Sequence, residues 1–260
     1  MTNERFEAPT PLHPFKKAIV IGAGRGIGEA IARKLTREGY LVGVVSQNFD
    51  NAKKVSDQIN TDAGKILSLA YTHDVKNFDE VDGLLKQVMD DLGGLDLLVY
   101  NAGILLPTTL TTYQFENDRT MMEVNVTGAM AWINAVAPIF QDLKRGQIVG
   151  ISSVAGDRGR VKNPAYTASK GAFSTYLEAI RNRLSRHGVN VLTVKPGFVQ
   201  TDMTQNQTGL FWLITPEKAA EDIWKAIKSK KQTIYTPFQW RYLMLVIQHI
   251  PSFIFRRLSF

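Results

Sequence analysis

Short runs rich in isoleucine and valine alternate with stretches whose apolar residues recur at helical spacing, and the alternation persists along most of the chain. Lys17–Gly22 reads as a buried strand halted by glycine, and Ile27–Glu38 carries Ile27, Ile31 and Leu35 on one helical face. Further strands are expected at Leu41–Ser46, Lys65–Tyr71, Leu95–Tyr100, Gln147–Ser152, Val189–Lys195 and Thr233–Thr236. Helices are expected at Phe49–Asn60, Asp79–Leu92, Phe115–Ala137 and Pro164–Arg186, with Pro138 kinking or breaking the third of these. Apolar strands joined through helices need cover on both faces, which dictates a mainly parallel, doubly wound α/β sheet. Its ligand crevice lies at the carboxyl ends of the strands.

The first strand runs into Gly22-Ala23-Gly24-Arg25-Gly26-Ile27-Gly28. Glycines here let backbone turn tightly and approach a pyrophosphate, while the helix that follows offers free N–H groups and the positive end of its dipole. A glycine-rich turn alone is a weak signal, but this one closes a strand and opens a helix. Tyr166-Thr167-Ala168-Ser169-Lys170 sets a tyrosine and a lysine one helical turn apart on one face. A nearby ammonium favours a phenolate, so such a pair can move protons near neutral pH. Alone it is equally an ordinary surface pair. Ser152 and Ser153 end the fifth strand, Asn101-Ala102-Gly103 ends the fourth and Pro196-Gly197 follows the sixth, so these segments gather at one edge of the sheet. Successive strand residues face opposite ways, so only one of the two serines faces the crevice.

Together these motifs resemble the short-chain dehydrogenase/reductase family over Lys16 to Thr236. The resemblance rests on the Gly-x3-Gly-x-Gly spacing of Gly22, Gly26 and Gly28, on Asp74, Asn101-Ala102-Gly103 and Asn125, and on the serine, Tyr166-x-x-x-Lys170, and Pro196-Gly197 with Thr201. The chain departs from the family with Ile21 where threonine is usual, and with Tyr100 before Asn101 where a second asparagine is usual. The resemblance implies a single doubly wound Rossmann-type domain with a seven-stranded, mainly parallel sheet and helices on both faces. The domain spans residues 16–236, between a flexible lead-in of residues 1–15 and an apolar, basic extension of residues 237–260.

The family's roles give Tyr166 as the proton donor in reduction and acceptor in oxidation. Lys170 lowers its pKa and holds the nicotinamide ribose. The family places its serine thirteen residues before the tyrosine, which selects Ser153 to bind the carbonyl oxygen, and Asn125 holds a proton-relaying water. The cofactor contacts implied are Gly22, Arg25, Gly26, Ile27, Gly28 and Ser46, then Asp74 and Val75 at the adenine, Asn101, Ala102 and Gly103, and Pro196, Gly197, Val199 and Thr201 at the nicotinamide. Tyr166 and Lys170 also touch the cofactor. The second strand ends Ser46-Gln47-Asn48 without a carboxylate to claim a ribose 2′-hydroxyl, and Arg25 can pair with a 2′-phosphate. NADP(H) is therefore favoured over NAD(H). A homodimer or homotetramer is also implied, and small residues such as Ala168 and Ala172 on the Tyr166 helix would allow close packing.

Composition bounds the rest. The chain holds no cysteine, which excludes thiolate catalysis and disulfides, and its four histidines lie far apart without metal-ligand spacing, so no metal is expected. No run approaches the length of a membrane span, and no apolar run near the start reads as a secretory signal. The net charge of +7 comes from the end: beyond Asp222 stand seven basic residues and no acid. There Phe238, Trp240, Tyr242 and a string of aliphatic residues are interleaved with arginines. This extension either lies in a membrane interface, packs on a second subunit, or folds over the cleft of its own chain. No nucleic-acid module is recognisable, so no nucleic acid is expected. These features point to a cytoplasmic enzyme, peripheral to a membrane if the first reading holds. It reduces a carbonyl on a hydrophobic or lipid-linked substrate of steroid, long-chain ketone or polyprenyl-linked sugar type. The alternatives are a fatty-acid-type 3-oxoacyl thioester reductase and a catalytically silent dinucleotide-binding regulator.

Overall fold

A computed structural model describes residues 16–111, 113–205 and 208–258; the lead-in expected over residues 1–15 lies outside the described residues. Seven strands form one parallel sheet: β1 (Lys16–Ile21), β2 (Tyr40–Ser46), β3 (Ser68–Thr72), β4 (Leu97–Tyr100), β5 (Gln147–Ile151), β6 (Asn190–Pro196) and β7 (Thr233–Thr236). Their order is β3-β2-β1-β4-β5-β6-β7, and Ile21 pairs with Val45 on one side and Tyr100 on the other. The order reverses between β1 and β4, the switch point at which doubly wound sheets open a crevice.

One face is covered by α1 (Gly26–Arg37), α2 (Phe49–Ala63) and α7 (Pro216–Lys228), the other by α3 (Val81–Leu92), α5 (Gly128–Leu143) and α6 (Pro164–Leu184). Central strands are therefore buried on both sides: Ala18 to Ile21 are fully enclosed, as are Leu98 to Tyr100. That explains their continuous apolar runs without alternation.

The expected long helix from Phe115 to Ala137 is interrupted, and not at Pro138. α4 (Phe115–Met122) passes through a π turn at Glu123–Thr127 into α5, which carries Pro138 in its interior. The irregularity serves two side chains. Tyr100 Oη donates to the Val124 carbonyl at 2.7 Å, and Asn125 is fully buried against the chain after β4. Wide turns of this kind are commonly found at functional sites.

Beyond β7 the described residues add no strand. α8 (Trp240–His249) and the single turn α9 (Ser252–Phe255) instead build a second, smaller core. Trp240, Met244 and Ile247 are buried there against Val154, Phe198 and Tyr235. The opposite side of α8 is exposed, Tyr242, Leu245 and Val246 included, and Val246 keeps 63% of its surface in solvent. The basic residues after Asp222 are spread over several elements. Lys225 and Lys228 sit in the last turn of α7, whereas Arg256 and Arg257 follow α9.

Candidate active site

The cleft opens where β1, β4, β5 and β6 end side by side, and its volume is about 820 Å³. Backbone conformation fixes one wall. Gly22 has φ +80°, and a β-carbon there would lie 2.6 Å from the Ala102 nitrogen, so only glycine lets the turn pack on the β4 end. Asn101 Nδ2 donates to the Gly22 carbonyl at 2.7 Å, tying the two turns together. No side chain caps the N-terminus of α1, and its N-cap Arg25 borders the cleft. An anion placed there meets unclaimed amides and the helix dipole.

Of the residues expected at a cofactor, Gly22, Arg25, Gly26, Ile27, Ser46, Asp74, Val75, Asn101, Ala102 and Gly103 line the cleft, as do Tyr166, Lys170, Pro196, Gly197, Val199 and Thr201. Gly28 stands behind the wall: a β-carbon on it would strike the Gly22 carbonyl and the Asn101 side chain. Ser46 reaches Gly24 at the end of β2, and Gln47 Nε2 donates to Asp74 Oδ2 at 3.0 Å. Arg25 pairs with Asp202 at 2.6 Å, bridging the glycine turn to the segment after β6. Sequence reasoning missed Asp202, because nothing in its local pattern points to a partner 177 residues away.

The two serines separate as strand geometry requires. Ser152 Oγ donates to the Lys170 carbonyl at 2.8 Å and meets Ser174 Oγ at 2.7 Å, facing α6. Ser153 turns the other way and accepts from the Ala155 amide at 3.0 Å, with its hydroxyl near enough to the Tyr166 phenol to favour the phenolate. Gly156 and Gly171 make this arrangement possible, since a β-carbon on Gly156 would lie 2.6 Å from the Gly171 nitrogen. The turn after Ser153 thereby rests directly on α6.

Lys170 is buried, and its Nζ donates to the Ile151 carbonyl at 3.0 Å while lying 5.9 Å from the Tyr166 ring centroid. Burial lowers its pKa to about 8. Burial also raises the Tyr166 phenol, opposed by the Ser153 hydrogen bond and by the charge of Arg160. Asn125 Oδ1 accepts from the Ile104 amide at 2.8 Å, and its Nδ2 donates to the Ile104 carbonyl and to Ser169 Oγ, both at 3.0 Å. Its side-chain amide is therefore committed to protein partners. It sits beside Lys170 all the same: a β-carbon on Gly103 would lie 3.0 Å from Lys170 Nζ and 3.3 Å from Asn125 Oδ1.

This set suits a dinucleotide. An ammonium has three N–H donors, and Lys170 gives one to protein and presents the cleft with the others. Among the described residues no cluster of acidic and histidine side chains is gathered to hold a metal.

The family model described as short chain dehydrogenase matches residues 16–209, and the chain belongs to that family. An uncharacterized oxidoreductase of Staphylococcus epidermidis is 35% identical over 190 residues, 73% of this chain and 80% of that protein. A Staphylococcus aureus counterpart is 34% identical over 189 residues, with the same two coverages, 73% and 80%. A solved 7 alpha-hydroxysteroid dehydrogenase, complexed with NADH and 7-oxo glycochenodeoxycholic acid, is similar with TM-score 0.78 and 26% identity, over 85% of this chain and 92% of that one. An alcohol dehydrogenase of the archaeon Thermococcus sibiricus, complexed with 5-hydroxy-NADP, shares the fold at TM-score 0.77 and 24% identity, over 85% and 95% of the two chains. The resemblance seen in the motifs holds, and the molecule is an oxidoreductase with the dehydrogenase fold of nicotinamide dinucleotides.

Proposed function

We propose that this enzyme uses NADPH to reduce a carbonyl on a hydrophobic or lipid-linked substrate. The observation that carries the reading is the junction of Ser153, Tyr166 and Lys170 at one end of a cleft whose other end is the glycine turn. Bound nicotinamide would supply the hydride. Ser153 and Tyr166 would hold the carbonyl oxygen and offset its developing charge. Tyr166, kept protonated by burial, would pass its proton to that oxygen. Lys170 would hold the ribose hydroxyls. With the side chain of Asn125 committed, a relay water on that residue would be held by its main chain.

Preference for NADPH is supported by Arg25 and by the absence of a carboxylate at the end of β2. The solved relatives are named with both an NADH and an NADP derivative, so the choice rests on this chain's own residues. The steroid in the name of the first supports an apolar substrate. So does the segment after β6, where Phe198, Phe211, Trp212 and Trp240 form one aromatic cluster, with Phe211 and Trp240 stacked at 5.0 Å. The outer face of α8 and α9, apolar and flanked by Arg241, Arg256 and Arg257, suits the headgroup layer of an anionic membrane. No helix among the described residues is long and apolar enough to cross one. The site would be that of a cytoplasmic homo-oligomer drawing its substrate from the membrane surface.

The test is a panel of steroid, long-chain, lipid-linked and 3-oxoacyl thioester ketones assayed with NADPH and with NADH. Turnover confined to the thioesters would replace this reading with the fatty-acid one. Tight dinucleotide binding without turnover of any ketone would leave a regulatory protein.

A further inference from the structure

The sheet splits where the cleft opens. The ladder between β5 and β6 ends with the Ser152 amide on the Val194 carbonyl at 2.8 Å. Beyond it Ser153 leads into a 3₁₀ turn, Val154–Asp157, while Lys195 and Pro196 run on beside β7, opposite Tyr235 and Thr236. Ser153 lines the cleft on one branch of the split, and Pro196 and Gly197 line it on the other. One buried carboxylate reaches across. Asp157, 1% exposed at its side chain, forms an ion pair with Lys195 through Oδ1 and accepts from the Tyr235 hydroxyl through Oδ2 at 2.9 Å. Its two partners are themselves neighbours across β6 and β7, with the Lys195 ammonium 5.4 Å from the Tyr235 ring centroid.

None of these three residues lines the cleft, so the cluster stands behind its wall. It completes the hold on the turn. Gly156 rests on the backbone of Lys170 and Gly171, and its amide donates to the Ser153 carbonyl at 3.2 Å. Asp157 then ties the far end of the turn to β6 and β7. A packed apolar pair is often as stabilising as a buried ion pair. Hydrogen bonds on both carboxylate oxygens, however, fix direction as well as distance. Burial and the Asp157 charge push the Tyr235 phenol up, so it stays a donor throughout the neutral range.

We infer that Asp157 is a positioning residue: through Lys195 and Tyr235 it sets the gap between Ser153 and Pro196-Gly197, the place where nicotinamide and carbonyl meet. The glycine turn, at the other end of the cleft, does not depend on it. The inference rests on the reading above that nicotinamide lies at the Ser153 end.

The test is equilibrium binding to the full chain of two probes, NADPH and 2′-phospho-ADP-ribose, which is the same molecule without its nicotinamide. Should NADH be the tighter dinucleotide, the probes are NADH and ADP-ribose. Asp157→Asn should weaken the dinucleotide by about tenfold and leave the truncated probe within about twofold of wild type. A merely structural role would move both probes together. That single variant strands the Lys195 charge, so Asp157→Asn with Lys195→Met serves as the second variant: it should regain stability in urea unfolding but not the lost affinity. Lys195→Arg, which keeps a cation, should retain most of that affinity, and Tyr235→Phe should lose part of it. Asn60→Ala, which removes the bonds of α2 to Leu67 and Ser68 at the edge of the sheet away from the cleft, should cost stability without changing either affinity. Equal loss for the two probes, or no loss for either, in a folded Asp157→Asn or in the double variant would overturn the inference. If neither folds, Tyr235→Phe decides by the same comparison. A wild-type protein that binds neither NADPH nor NADH would remove the dinucleotide reading, and the inference with it. Wild-type binding in which the nicotinamide contribution survives every substitution would remove the inference alone.

Discussion

Burial moves the two ionisable groups of the Tyr166–Lys170 pair in opposite directions, raising the phenol and bringing the ammonium to about 8. For reduction the phenol must be protonated and the lysine charged. Both conditions hold below pH of about 8, and the second fails as pH rises through it. In the reductive direction kcat/KM should therefore be level in the neutral range and fall above pH of about 8, and Lys170→Met should remove that inflection. An inflection unchanged by the substitution would assign it to another group. Tyr166→Phe should lower kcat by roughly a hundredfold to ten-thousandfold, with dinucleotide affinity in equilibrium titration nearly unchanged. Arg25→Ala should weaken NADPH by about tenfold, with little effect on NADH. Because Asp202 holds the same guanidinium, Asp202→Asn should act in the opposite direction on NADPH. Tyr166, Lys170 and Arg25 were legible in the sequence because each belongs to a motif or has a fixed place beside one. Asp202 was not: its partner Arg25 lies 177 residues away, and only the fold brings the two together.

Among the elements, the seven strands and the helices α1, α2, α3 and α6 were legible, since a sheet covered on both faces needs unbroken apolar runs and helices on its faces need one apolar stripe, whereas no helix was expected at α7 or α8. The break between α4 and α5 was not. Pro138 is the visible helix breaker, yet α5 absorbs it, while the π turn at Glu123–Thr127 follows from the hydrogen bonds of Tyr100 and Asn125. The position where the family usually has a second asparagine thus has a task of its own here, anchoring β4 to that turn. The extension after β7 was legible as apolar and basic, but its seat beside the β5–α6 loop depends on pairs distant in sequence. Gly197 is one such contact, because a β-carbon there would run into the Trp240 indole. Gly197→Ala should lower stability by about 1–3 kcal/mol in urea unfolding through overpacking. Arg158→Ala should speed hydrogen exchange in α8 while leaving the glycine turn protected, because its contacts are with the carbonyl end of α8 and with Phe255.

For the molecule as a whole, the outer face of α8 and α9 is the surface to probe. With vesicles containing phosphatidylserine the wild-type protein should co-float, and a Tyr242→Ser, Leu245→Ser, Val246→Ser triple variant should not. All three residues are exposed, so folding should be unaffected. Flotation that survives the change would place the contact elsewhere, and a wild-type protein that stays at the bottom of the gradient would remove the membrane from the picture.

The smaller core has a consequence in time. The glycine turn, the inner strands and α6 all precede Trp240 in the chain, so they leave the ribosome first and can begin to assemble. The β5–α6 loop gains Trp240, Met244 and Ile247 as neighbours only after every strand of the sheet has been made. A nascent chain could then grip its dinucleotide before its proton-transfer loop has anything to lean on, and competence would arrive only with the helices beyond β7.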